Sequence, residues 1–123
     1  MPSRILLVDD EPNVVKLLTM RLKLSGYDVI TANNGQEGLE KAQQEKPDLI
    51  ILDLMMPQLN GYEVCMMLKQ DTRYRKVPII VLSAKAQERD KQLGKECGSD
   101  AFLSKPYQPE ALLSQIKALL PPS

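Results

Sequence analysis

The sequence contains no histidine and no tryptophan, and it has one phenylalanine and two cysteines. Without histidine, neither a serine or cysteine catalytic triad nor a histidine zinc site can form. Cys65 and Cys97 are not spaced like metal ligands, and no signal-peptide pattern is recognisable. We therefore expect a reduced, cytoplasmic protein whose polar chemistry comes from Asp, Glu, Lys, Ser or Thr.

Net charge and long apolar runs are also missing. Sixteen basic and sixteen acidic residues cancel, so we expect no direct contact with nucleic acid. The apolar run at residues 5–8 is far shorter than the ~20 residues that span a bilayer, so we expect no membrane contact. A length of 123 residues with 43% hydrophobic residues fits one domain covering residues 1–123. Residues 121–123 are either its terminus or the start of a linker.

Short apolar runs alternate with helical patterns along the chain. The runs cover residues 5–8, 27–32, 49–52, 77–82 and 101–103, and their lack of alternation suits strands buried on both faces of a parallel sheet. Apolar residues at helical spacing predict helices after Pro12, over 35–45, 61–70 and 86–97, and near the C-terminus. Residues 86–97 have the weakest apolar face. Right-handed crossovers then predict an α/β fold with a five-stranded parallel sheet, doubly wound by five helices.

Polar side chains are predicted at the ends of four of the five strands. Asp9 and Asp10 follow the first strand, Asp53 follows the third, Ser83 the fourth and Lys105 the fifth. Ligand sites in doubly wound sheets lie beyond these carboxyl ends. Two carboxylates about 4 Å apart repel by roughly 4 kcal/mol at an effective dielectric of about 20, so three of them require cations. Oxygen ligands without imidazole or thiolate predict Mg²⁺.

This set of residues favours phosphoryl transfer to a carboxylate. Asp53 is the best candidate nucleophile because apolar residues flank it and a turn containing Pro57 and Gly61 follows it. The cation and Lys105 would neutralise the phosphoryl oxygens, and Ser83 would donate a hydrogen bond to one of them. The phosphate-binding patterns GxxxxGK[ST] and GxGxxG are absent, so ATP or NAD binding has no support.

Four stretches in order, VDDEP, LDLMMPQLNG, LSAK and SKP, carry a resemblance to a known family. Asp10 precedes Asp53 by 43 residues, Asp53 precedes Ser83 by 30, and Ser83 precedes Lys105 by 22. Over essentially the whole chain, the sequence resembles the receiver domain of two-component response regulators. The resemblance implies the flavodoxin-like fold of the chemotaxis response regulator, with strand order 2-1-3-4-5.

The resemblance also implies roles for the acidic residues. Asp53 would be the phosphoacceptor. Asp10 would bind Mg²⁺ directly, Asp9 would act through water, and the backbone carbonyl of Met55 would complete the protein ligands. From the residues alone, which of the two neighbouring aspartates touches the metal stays open.

The remaining implied roles concern phosphate binding and switching. Ser83, Ala84 and Lys105 would bind the phosphoryl group, and Lys105 would be followed by a cis peptide bond to Pro106. Ser83 would move toward the phosphoryl group while Phe102 swings inward behind it. Phe102 lacks the hydroxyl of the tyrosine found in many members, so the ring can rotate without a hydroxyl hydrogen bond. The output surface would consist of the fourth helix, the fifth strand and the fifth helix.

The implied function is a phosphorylation-activated signalling switch rather than an enzyme, because the chain would catalyse only its own phosphoryl transfer and dephosphorylation. A sensor histidine kinase or histidine phosphotransfer protein would supply the phosphoryl group. The output would pass to a downstream effector protein or a C-terminal output domain, from a monomer or a phosphorylation-linked homodimer.

Simpler interpretations exist for each residue taken alone. Asp53 alone would most often be a turn cap, Ser83 would satisfy a backbone group, Lys105 would be solvated and Phe102 would belong to the core. One alternative function is a phosphorylation-independent interaction module on the same fold. A hydrolase of the haloacid dehalogenase type would need a second acid two residues after the nucleophile, where this chain has Met55.

Overall fold

A computed structural model describes residues 3–53, 61–83, 97–104 and 108–120. Its elements, in chain order, are β1 Arg4–Val8, α1 Pro12–Leu24, β2 Asp28–Ala32, α2 Gly35–Glu45, β3 Leu49–Asp53, α3 Gly61–Gln70, β4 Ile79–Ser83, β5 Ala101–Ser104 and α4 Pro109–Leu119. The five strands are parallel in the order β2-β1-β3-β4-β5, so the predicted doubly wound fold is confirmed. The helix predicted over residues 86–97 lies outside the described residues, except for Cys97.

The central strands are buried on both faces, as their continuous apolar sequences predict. Every residue of β3 and β4 is buried, and only Arg4 of β1 is exposed. Alternate residues of these strands serve two cores because successive side chains point to opposite faces. One core joins Leu6 and Val8 to residues of α2 and α3, and the other joins Ile5 and Leu7 to residues of α1 and α4.

Helix boundaries follow local signals in the sequence. Pro12 lies in the first turn of α1, where a missing N–H costs nothing. The chain leaves α1 through Gly26, whose φ of 93° suits glycine best. The Oδ1 atom of Asn34 accepts a hydrogen bond from the backbone N–H of Glu37 at 2.8 Å and so caps α2. The predicted bounds of α2 and α3 are confirmed.

One predicted detail was wrong. The fourth strand begins at Ile79 instead of Val77, because the Val77 N–H donates to the carbonyl oxygen of Tyr74 in the preceding turn. In the described part of the chain, every helix is too short or too polar to cross a membrane.

Candidate functional site

The register of the central strands brings two carboxylates to the same edge of the sheet. Val8 pairs with Leu52 across β1 and β3, so the residues that follow them, Asp9 and Asp53, lie side by side. The N–H of Asp9 donates to the carbonyl oxygen of Ala32 at 3.1 Å and continues the pairing of β1 with β2. The backbone thus fixes Asp9 as firmly as a strand residue.

Asp10 joins these two residues in a cluster of three carboxylates. One oxygen of each of Asp9, Asp10 and Asp53 lies within 4.8 Å of the others. Asp9 is fully buried and Asp53 is 3% exposed, whereas Asp10 is exposed. At about 5 Å and an effective dielectric of about 20, each pair of charges repels by roughly 3 kcal/mol. A cluster made only of carboxylate oxygens, open to solvent on one side, fits a hard divalent cation such as Mg²⁺ that keeps some of its water.

A turn at the start of α1 holds Asp9 in place. Its Oδ1 atom accepts a hydrogen bond from the backbone N–H of Glu11 at 2.9 Å. Glu11 is the N-cap residue of α1 but makes no side-chain cap bond. Its acidic side chain is nevertheless favourable there because the N-terminus of a helix carries partial positive charge.

Ser83 ends the strand next to β3. It is fully buried, and the preceding residue, Leu82, pairs directly with Asp53. The sequence-predicted residues Asp9, Asp10, Asp53 and Ser83 therefore all lie at the carboxyl edge of the sheet. Phe102 lies on the adjacent strand β5, where it pairs with Val81 and packs, partly buried, against the core.

Five of the other predicted site residues belong to segments that the structure does not describe. Met55, Pro57, Ala84, Lys105 and Pro106 lie outside the described residues, and their roles stay predictions. Gly61 is described as the buried first residue of α3.

One packing contact beside the site has no specific signal in the sequence. A Cβ atom added to Gly38 of α2 would lie 3.0 and 3.1 Å from the two methyl groups of Val8, the residue before Asp9. Glycine thus lets α2 approach the end of β1. A glycine inside a helical pattern hints at a packing role without naming the partner.

Comparisons with known proteins agree with this geometry. Residues 5–117 match the model of the response regulator receiver domain. The chain is 50% identical over 120 residues to the alkaline phosphatase synthesis transcriptional regulatory protein PhoP of Bacillus subtilis, covering 98% of this chain and 49% of PhoP. It is 42% identical to protein PilH of Pseudomonas aeruginosa, covering 96% and 98% of the two chains.

Solved structures of response regulators have the same fold. The structure of the chemotaxis protein CheY4 of Vibrio cholerae superposes with a TM-score of 0.91 at 34% identity, covering 98% of this chain and all of the other. Relative to the first curated relatives, this chain spans about half of their length. The family match, the strand order and the carboxylate cluster agree, and the chain belongs to the receiver domains of response regulators, the signalling switches of two-component systems.

Proposed function

We propose that Asp53 accepts a phosphoryl group in a reaction that requires Mg²⁺. The observation that carries this proposal is the buried Asp53 carboxylate, with an oxygen within 4.8 Å of oxygens of Asp9 and Asp10. A carboxylate held beside two others is a poor nucleophile toward an anionic phosphoryl donor unless positive charge is present. The same crowding makes the cluster a cation site, so metal binding and phosphoryl transfer would depend on each other.

Four groups would hold the cation: the carboxylates of Asp9, Asp10 and Asp53 and the backbone carbonyl of Met55. Exposed Asp10 is suited to direct contact, whereas Asp9, whose Oδ1 already accepts the Glu11 N–H, is suited to contact through water. When bound, Mg²⁺ would supply positive charge that neutralises carboxylate and phosphoryl oxygens.

The phosphoryl transfer itself would use one oxygen of Asp53. This oxygen attacks the phosphorus atom of a phosphohistidine on a partner protein, the N–P bond breaks, and the imidazole leaves with the bonding electron pair and takes up a proton. The product is an acyl phosphate on Asp53. Ser83, the backbone of Ala84 and Lys105 would bind the phosphoryl oxygens.

Phosphorylation would then alter the surface formed by residues 86–97, β5 and α4. Ser83 lies at the end of β4, and Phe102 lies on the neighbouring strand β5. A movement of Ser83 toward the phosphoryl group would leave space into which the partly buried Phe102 ring could turn. Side-chain changes of this kind bias two packing states of one surface.

The partners follow from this chemistry. A sensor histidine kinase or a histidine phosphotransfer protein would be the donor, because the chain contains no histidine. The receiver of the signal would be a separate effector protein or an output domain after residue 123. The phosphorylated domain would act as a monomer or a homodimer in the cytoplasm, and it would turn over no other substrate.

Acetyl phosphate provides a direct test, since it needs no partner protein. With saturating Mg²⁺, the intact mass of the chain should increase by one phosphoryl group, and it should not increase when a chelator removes the cation. Asp53→Asn should abolish the increase, whereas Asp28→Asn, an exposed aspartate at the opposite end of β2, should not. An unchanged mass of the parent chain at saturating Mg²⁺ would contradict the proposal.

A further inference from the structure

Two cysteines that play no part in the proposed phosphoryl transfer lie together in the core. Cys65 lies on α3 and Cys97 lies in the turn before β5, 32 residues later. The Cys65 thiol donates a hydrogen bond to the carbonyl oxygen of Cys97 at 3.5 Å, and the two thiols also interact directly. The fold therefore brings together two thiols that are distant in sequence.

The surroundings of the two thiols make their chemistry unequal. The hydrogen bond with Cys97, together with burial, raises the pKa of the Cys65 thiol. Contact with the Cys65 thiol, supported by the backbone N–H of Ser99, lowers the pKa of Cys97. Cys97 therefore ionises more readily than Cys65 and is the better source of the thiolate, the reactive form of cysteine.

We propose that hydrogen peroxide converts Cys65 and Cys97 into an intramolecular disulfide. The Cys97 thiolate attacks one peroxide oxygen, the O–O bond breaks, and hydroxide leaves, so that Cys97 becomes a sulfenic acid. The Cys65 sulfur then attacks the Cys97 sulfur and loses its proton, the S–O bond breaks, and water forms. Two electrons pass from the thiols to the peroxide, which ends as two water molecules. This chemistry does not depend on phosphorylation of Asp53.

A small oxidant would have a short path to the pair. Cys97 is 2% exposed, but its neighbour Gly98 is exposed, so a local opening of this turn would uncover the sulfur. The bond would join α3 to the entry of β5 and enclose all of β4. A cross-link across a loop of this length restricts the unfolded chain, so the midpoint of thermal unfolding should rise by roughly 5–10 °C.

The test counts free thiols before and after treatment with dilute hydrogen peroxide. The chain is denatured, alkylated with iodoacetamide and weighed. We expect two alkyl groups before oxidation, none after it, and two again after treatment with dithiothreitol; this count is unaffected by methionine oxidation. Proteolysis should yield one linked peptide pair containing Cys65 and Cys97, independent of chain concentration.

Cys65→Ser and Cys97→Ser are the matched controls. Each variant has a single cysteine, so it cannot form an intramolecular disulfide. Neither variant should show the peroxide-dependent rise in unfolding temperature. The proposal is overturned if the parent chain keeps two alkylatable thiols under peroxide, or if its only disulfides join separate chains.

Discussion

The carboxylates of Asp9 and Asp53 lie next to each other because Val8 and Leu52 are partners across β1 and β3. Both carboxylates are buried, and Asp10 adds a third charge from the solvent side. Burial weakens the screening by water that would otherwise reduce their repulsion. The three carboxylates at the end of β1 therefore strain the fold by their mutual repulsion, and a bound cation would relieve that strain.

Removal of one charge should reveal this strain. In the absence of divalent cations, Asp10→Asn should increase the free energy of unfolding by about 1 kcal/mol, because Asn removes two repulsive pairs without a change in shape and solvent screens most of the repulsion of exposed Asp10. Its dissociation constant for Mg²⁺ should rise by at least about 10-fold. Urea unfolding and calorimetric titration measure the two effects. Asp28→Asn is the matched control and should change neither.

The variant Lys105→Ala distinguishes the residues that bind the cation from those that bind the phosphoryl group. Its Mg²⁺ affinity and its phosphorylation by acetyl phosphate would both be measured. Lys105 is assigned to the phosphoryl oxygens, so its removal should leave Mg²⁺ affinity intact while phosphoryl transfer slows. If this variant loses Mg²⁺ affinity as Asp10→Asn does, the assigned role of Lys105 is wrong.

Gly38→Ala should destabilise the domain although alanine favours helices. The new Cβ would lie about 3 Å from the buried Val8 methyl groups, and overpacking of this kind costs about 1–2 kcal/mol. Urea unfolding measures the loss. Gln43→Ala, on the exposed face of the same helix, serves as a control with little effect. Combining Gly38→Ala with Val8→Ala should cost less than the sum of the two single losses, and strict additivity would contradict the contact.

Lys69 should be a major contributor to stability. Its Nζ atom donates to the carboxylate of Asp100 at 2.8 Å and to the carbonyl oxygen of Val77 at 2.8 Å. The same carboxylate accepts the Ile79 N–H at 2.8 Å. The Lys69 side chain is only 14% exposed, so Lys69→Met should lower the free energy of unfolding by about 2 kcal/mol.

A surface ion pair provides the comparison for Lys69. Arg73 pairs with Asp71 at 2.9 Å in a solvent-exposed turn, and such pairs contribute little. Arg73→Ala should therefore change the urea midpoint far less than Lys69→Met. Equal losses in the two variants would show that burial of Lys69 does not decide its contribution.

The Asp71 carboxyl should show a measurable pH effect. The Arg73 side chain, and then its backbone N–H, hold the pKa of Asp71 below its usual value. The stabilising contribution is therefore present above the unfolded pKa of about 3.9 and is lost as pH falls through the lower folded pKa. NMR titration should give Asp71 a midpoint below its unfolded value, and Arg73→Ala should restore most of that difference.

The fold could be predicted because each central strand is a short apolar run followed by a polar residue. That pattern placed Asp9, Asp53 and Ser83 at one sheet edge, and the strand register confirms the placement. The start of β4 was predicted two residues early, because Val77 is apolar and yet satisfies its N–H in a turn. Apolar composition does not reveal where a backbone hydrogen bond goes.

Contacts between distant side chains were the features that the sequence could not predict. Gly38 against Val8 and Cys65 against Cys97 depend on how α2 and α3 pack on the sheet. Periodicity identifies the buried face of a helix, but it does not identify the residue on the opposing element. The sequence indicated only that the two cysteines are not spaced like metal ligands, and the fold brings them together.

Localisation of the phosphoryl group tests the central claim most directly. The chain would be incubated with acetyl phosphate and Mg²⁺ and treated with borohydride, which reduces an acyl phosphate and leaves free carboxylates unchanged. Its peptides would then be sequenced by mass spectrometry. The account predicts a reduced side chain at position 53, with Asp9 and Asp10 unmodified. Reduction at either of these aspartates instead, with Asp53 intact, would contradict it.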